Sequence, residues 1–207
     1  MKSSNLLILV AITAVVGIVL YSMSGGGDNT DYIAQIEEER KQKDEFMVSG
    51  EGSPFEGRAT EFKGLKYFPP DAKYRIQANL GPVKDKKMVV LPTSDGKEKR
   101  YMEYARATFH LDGADCSLLL LEVMDPGPYK GTLFLAFADE TSAVETYGAG
   151  RYLDVKKVPG ASTIMLDFNQ AYNPYCAYSD KFSCPFPPRE NVLKAAVLAG
   201  EKSYEAH

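Results

Sequence analysis

The 207-residue sequence has no tryptophan, only three cysteines, only two histidines and no surplus of basic charge, and each scarcity removes a class of function. Lys and Arg number 24 against 28 Asp and Glu, giving a net charge of -4. Neutralising a phosphate backbone needs cations concentrated on one face, so no nucleic acid is expected as a partner. With His207 at the chain end, a Ser-His-Asp or Cys-His mechanism would depend on His110 alone, and His110 is better read as a strand residue bonded to a neighbour. Two histidines and no CxxC spacing leave no zinc set, and no metal or cofactor is expected. Gly148-Ala149-Gly150 lacks the third glycine and the Lys of phosphate-binding loops and reads as a tight turn that lets backbone approach backbone. No internal repeat is visible, and the chain beyond residue 27 suits one domain of about 150 residues plus a short approach.

Long apolar runs are also scarce; the exception is Leu6 to Leu20, LLILVAITAVVGIVL, preceded by Lys2. Its length lies between a signal-peptide core and a spanning helix, and extension through Tyr21 and Met23 favours an anchor. The expectation is a membrane partner through this N-terminal helix, with the rest extracytoplasmic, periplasmic or at the cell surface. Ser22-Met23-Ser24 keeps open the alternative of secretion after cleavage near Ser24. The organisation expected is therefore 1–24 as signal-anchor or signal peptide, 25–58 as a Gly-rich joint and charged helix, and 59–207 as a globular β-rich domain. In the second segment, Glu37 with Lys41 and Glu39 with Lys43 stand at helix-supporting spacing beside a narrow apolar stripe of Ile33 and Ile36, which predicts a solvated surface helix.

From residue 60 the period changes to two. Alternation over Tyr74 to Leu80, runs at Met88 to Leu91 and Arg100 to Leu111 around Asp95-Gly96, and the near-continuous apolar Cys116 to Met124 predict strands, the last buried on both faces. Gly131 to Ala138, Ser162 to Phe168 and Val192 to Ala199 complete about seven. The fold class expected is mainly β (α+β), an antiparallel sandwich or partly closed barrel preceded by the N-terminal hydrophobic helix and the charged helix.

Two stretches carry more polar and aromatic groups than a core needs: Glu145 to Tyr152, and Asp167 to Tyr178 continuing through Cys184 to Asn191. They read E-T-Y-G-A-G-R-Y, D-F-N-Q-A-Y-N-P-Y-C-A-Y and C-P-F-P-P-R-E-N, followed by A-G-E-K at Ala199 to Lys202. With Phe62 to Phe68, these segments resemble the signature of a bacterial family catalogued as domain of unknown function 1684. The family is uncharacterised, so the resemblance implies no reaction.

From the residues themselves, Arg151 with Tyr147, Tyr152, Asn169, Tyr172, Asn173 and Tyr178 forms a set able to bind a small polar or anionic ligand, because Arg offers a planar fork of donors and Tyr a stacking face with a hydroxyl. The same set could be an internal network pinning a long loop. Cys176 and Cys184 are a candidate disulfide, a pair of unpaired structural thiols, or a reactive site in which Arg151 lowers the Cys176 pKa. Cys176 as nucleophile or Glu145 as general base would make a hydrolase; Asp167 and Glu190 are further carboxylates for that role. Asp167, Asn169 and Asn173 match no calcium loop. A structural protein with no ligand is the third reading.

Overall fold

The computed structural model describes residues 26–204. Helix α1 (Gly26–Ser49) leads into eight strands: β1 (Arg75–Pro82), β2 (Met88–Pro92), β3 (Glu98–Leu111), β4 (Ala114–Val123), β5 (Leu133–Phe134), β6 (Ala136–Phe137), β7 (Arg151–Tyr152) and β8 (Thr163–Asp167). The main sheet runs β5-β4-β3-β1-β8 with β2 also on β3, every pair antiparallel, and β6 with β7 makes a second, small sheet. The fold is mainly β with antiparallel sheets and one α-helix among the described residues. Among the described residues no barrel closes, since β5 and β8 end the main sheet unpaired to each other.

β3 is long enough to serve two partners on the edge away from β4, its first five residues pairing with β2 and Ala105 to Thr108 with β1, and a bulge between Glu103 and Ala105 separates the two halves. An extra residue at that point bends and twists the strand. Asp112 and Gly113 both have positive φ, 48° and 85°, the requirement of a two-residue hairpin turn whose twist matches the strands, and they place β4 directly beside β3. β4 is buried on both faces as its composition predicts: Leu118 and Leu120 join the larger core with Tyr74, Phe137 and Phe168, while Leu119 and Leu121 pack with Leu91 and Tyr101.

Val192 to Ala199 is not a strand. Its alternation is real, with Leu193, Ala195, Val197 and Ala199 all buried, but side chains supply most of its ladder. The Arg151 guanidinium donates to the carbonyls of Val197 and Ala199, and the Val197 amide reaches the Asp139 carboxylate at 3.4 Å. Nor did periodicity reveal β7, a strand of only two residues.

The helix also departs from its expected role. Gly26 and Gly27 fall within its bounds rather than in a joint, and it is docked rather than solvated: Tyr32, Ile36 and Met47 are buried. Tyr32 Oη donates to both oxygens of Asp167 (2.7 and 2.8 Å), Arg40 Nη1 donates to the Phe68 carbonyl (2.9 Å), and Lys43 Nζ lies 2.6 Å from Glu201. The membrane-anchored location and the membrane partner are corrected: among the described residues no helix is long and apolar enough to cross a membrane. The Leu6 to Leu20 run, on which both rested, lies outside the described residues, as does the proposed cleavage position near Ser24.

Asn191 ties the two layers. Wholly buried, it accepts from the Leu119 amide at 2.6 Å and donates to the carbonyls of Leu119 (2.9 Å) and Ala136 (2.8 Å), replacing a strand neighbour for the middle of β4. Asn191→Leu would leave three buried backbone groups unpaired, and a loss of about 3 to 5 kcal/mol is expected in urea unfolding. A loss below about 1 kcal/mol would mean these groups find other partners.

Candidate functional site

A cleft of about 990 Å³ opens between α1, the loop that follows β4 and the stretch from Asn169 to Pro185. Its wall is a chain of aromatic rings. Tyr101 on β3 stacks on Phe134 of β5 at 4.9 Å between centroids, Phe134 meets Tyr152 of β7 edge-on at 5.0 Å, and Tyr152 meets Tyr172 at 5.9 Å. These residues come from three strands and a loop, and only the antiparallel order of the main sheet, with β7 hooked to Tyr172 by paired backbone bonds, aligns them. Burial pushes the Tyr152 and Tyr172 hydroxyls well above their ordinary pKa, and the latter donates to Asp154 at 2.9 Å, so both stay neutral donors.

Charge enters the cleft from α1 and β3. Lys43 sits 4.4 Å above the Tyr172 ring while pairing with Glu201, and Arg40 sits 4.4 Å over Tyr67 with its terminal nitrogens on carbonyls of Phe68 and Asn169. Both are therefore engaged. Lys99 differs: half-buried at the start of β3, its ammonium donates to the Ser183 carbonyl at 3.1 Å and, among the described residues, makes no ion pair within 4 Å, although its charge helps to hold the Asp125 carboxyl down. An ammonium has three donors, so two remain for a ligand. Asp125 also lines the cleft but is held by the Arg100 amide and guanidinium, which depress its pKa.

Of the residues expected to bind a ligand, Tyr152, Asn169 and Tyr172 line this cleft. Arg151 does not. Only 1% exposed, it pairs with Asp139 at 2.8 Å and donates to the carbonyls of Val197 (3.0 Å), Ala199 and Glu201 (3.3 Å), an internal network set apart from the cleft lining. Desolvation lowers its pKa while Asp139 opposes that shift. Asn173 is equally buried and its amide donates to the Lys202 carbonyl, and Tyr178 donates to the wholly buried Glu201. Asn169 is a staple as well as a lining group: its side chain donates to Tyr32 Oη, the Asp71 carbonyl and Asp167, and accepts from the Asp71 amide.

Two glycines explain how charged groups enter the core. A side chain at Gly150 (φ +88°) would meet the Phe137 carbonyl at 2.6 Å, and one at Gly200 (φ +74°) the Phe168 carbonyl at 2.7 Å; Arg151 and Glu201 follow directly. Glu145 is exposed, with Lys202 3.7 Å away. His110 is exposed and faces Asp115 across the β3–β4 ladder at 3.2 Å, as a strand histidine bonded to a neighbour; among the described residues no histidine lines the cleft.

Cys176, Cys184 and Cys116 stand as free thiols in the structure. Cys176 and Cys184 are nevertheless adjacent, the Cys176 amide donating to Cys184 Sγ at 3.3 Å. The leading influences on their ionisation are local groups and burial rather than Arg151. The Cys184 thiol, hydrogen-bonded to Cys176, holds the Cys176 pKa down at about 6 against the opposing effect of burial, with Ser94 and Tyr147 contributing, while Cys184 itself is pushed up. Tyr147, placed by sequence in the ligand set, belongs to this group instead, and burial together with Cys176 raises its pKa to about 12.

The family described as Protein of unknown function (DUF1684) matches residues 60–202. The chain belongs to the DUF1684 family. Restriction of that family to bacteria is not supported by the comparisons. The chain is also similar to an uncharacterized protein of Haloarcula marismortui solved by solution NMR, with 38% identity, a TM-score of 0.64, and coverage of 86% of this chain and 97% of that one. No curated protein matches. Within the DUF1684 match lie Lys99, the aromatic wall and both clustered cysteines, whereas Arg40 and Lys43 on α1 precede it. Sequence reading missed Lys99, Tyr101 and Phe134 because they carry no motif; alternate positions on strands are the only signal they leave.

Proposed function

We propose that this DUF1684 protein binds a small organic anion with a flat apolar body in the aromatic cleft. The observation that carries the reading is Lys99, a half-buried ammonium whose direct hydrogen bond goes to a carbonyl and which makes no close ion pair among the described residues, set beside the Tyr101–Phe134–Tyr152–Tyr172 wall. A cation at the edge and rings along the side match a carboxylate, sulfonate or phosphate group on an aromatic or similarly flat skeleton. The site is shifted from the segments that suggested it: the 145–152 stretch contributes Tyr152, the 167–191 stretch contributes much of the rest, and the anion falls to Lys99 in place of Arg151. The open main sheet, with the small β6–β7 sheet and the Leu193 to Ala199 stretch packed into its larger core, supports a sandwich-like frame beneath the cleft.

Anilinonaphthalene sulfonate, a flat aromatic anion, tests the reading by fluorescence and amide-shift titration. One saturable site is expected, with shifts centred on Tyr152 and Tyr172, and Lys99→Ala should weaken binding about tenfold, the equivalent of about 1.4 kcal/mol. Saturable binding that ignores Lys99→Ala, or no saturable binding, would sink it.

A further inference from the structure

We propose that Cys176 and Cys184 form a redox-active dithiol at the cleft edge, Cys176 attacking a small disulfide and Cys184 resolving the mixed disulfide that results. The proposal is independent of the ligand reading and rests on placement. Cys176 sits on the 3-10 turn Tyr175–Ala177, half-buried and directly after Tyr175, which lines the cleft. Cys184 lies eight residues on, buried, lining the cleft. Its position is fixed from both sides: its amide donates to Ser94 Oγ at 3.1 Å, and its carbonyl accepts from the Ser94 amide at 2.9 Å. The Cys176 amide to Cys184 Sγ contact of 3.3 Å brings the second sulfur against the backbone of the first. A less buried cysteine beside a fixed, buried one is the arrangement that attack followed by resolution requires.

The exchange balances without a metal or cofactor. The Cys176 thiolate attacks one sulfur of a small disulfide, forming a mixed disulfide and expelling a thiolate, which takes up the proton Cys176 released to solvent. Cys184 then attacks the Cys176 sulfur, its proton passing to the second departing thiolate. The protein loses two electrons and two protons, and the small disulfide becomes two thiols. The hydrogen bond from Cys184 that favours the Cys176 thiolate, and the raised pKa of Cys184, set the order of the two steps. Cys116, buried in β4 with its pKa raised by burial, is an internal control that should not react.

The test treats the full chain, reduced and then freed of reductant, with glutathione disulfide and follows intact mass and peptide maps. The wild type should lose two hydrogens, mapped to a Cys176–Cys184 link, without retaining an adduct. Cys184→Ser should accumulate one glutathione adduct on Cys176, and Cys176→Ser should take none. An adduct on Cys184 in Cys176→Ser with none on Cys176 in Cys184→Ser would reverse the roles, and a wild type that stays fully reduced would overturn the proposal. Alkylation of the wild type by iodoacetamide needs no variant. Its rate at Cys176 should rise with a midpoint near pH 6 and at pH 7 exceed that of Cys116 about tenfold or more. A midpoint near about 8.5, that of an ordinary thiol, would also overturn the attacking role.

Discussion

Arg151→Met is expected to destabilise the protein by about 3 to 5 kcal/mol, the cost of leaving a buried charge without its partner. For a domain of this size that lowers the melting temperature by about 10 °C. The loss comes from what remains behind. Asp139 keeps Thr141, whose amide and hydroxyl donate at 2.7 and 2.6 Å, but its other oxygen loses the guanidinium, and the carbonyls of Val197 and Ala199 lose the donor that stands in for a strand. Arg151→Lys should fare little better, because one ammonium cannot reproduce a planar fork spanning four acceptors. Asp139→Asn combined with Arg151→Met should cost less than the sum of the two, since both remove the same pair. Differential scanning calorimetry reads each value. Arg151→Met at the wild-type melting temperature would mean that the network is dispensable; if the variant also lost anilinonaphthalene sulfonate binding, Arg151 would return to the ligand set from which its burial removes it.

Alkali should unfold the protein in one steep step just above pH 10. The hydroxyls of Tyr67, Tyr101, Tyr152, Tyr172 and Tyr178 are all pushed up, chiefly by burial, with the Glu201 charge adding to Tyr67 and Tyr178, Asp125 to Tyr101 and Asp154 to Tyr172. A folded pKa above the unfolded one means stability that is complete below about pH 10 and is lost as pH rises, because the unfolded chain then binds fewer protons than the folded one. Each such tyrosine contributes a slope of about 1.4 kcal/mol per pH unit, and five together up to about 7. Against a total stability of about 5 to 15 kcal/mol, unfolding should finish within about two pH units. Tyrosine absorbance and circular dichroism should therefore change together. A gradual tyrosine titration with secondary structure intact would show that these rings reach solvent without unfolding.

Much of the scaffold was legible in the chain. The two-residue period at Tyr74 to Leu80, the Asp112-Gly113 turn and the unbroken apolar run through Leu118 to Leu121 each specify a strand or hairpin locally, because alternation and positive φ are properties of neighbouring residues. The charged helix was legible as a helix from its i,i+4 pairs, and the family from long contiguous segments. Its docking was not. Tyr32, Arg40 and Lys43 meet partners more than 25 residues away, and no local pattern distinguishes a solvated Lys from one paired with a buried Glu201.

The candidate site divides along the same line. Sequence marked Tyr152, Asn169, Tyr172 and the two cysteines, and Tyr152, Asn169, Tyr172 and Cys184 line the cleft, but composition cannot tell which polar groups face a cleft and which face one another. Arg151 and Lys99 exchange the roles that residue type alone suggests. Arg151 has the better chemistry for an anion, yet Gly150 turns it inward, where a carboxylate and three carbonyls occupy it. Lys99, an ordinary strand lysine, is left with spare donors because Ser183, brought alongside by the 182–186 segment, offers it only a carbonyl. The sequence by itself determined strand periodicity, turn geometry, helix type and family, all set by short-range sterics and the burial of alternate side chains. Only the tertiary structure decided which charges are satisfied inside and which line the cleft, because that depends on distances between residues far apart in the chain.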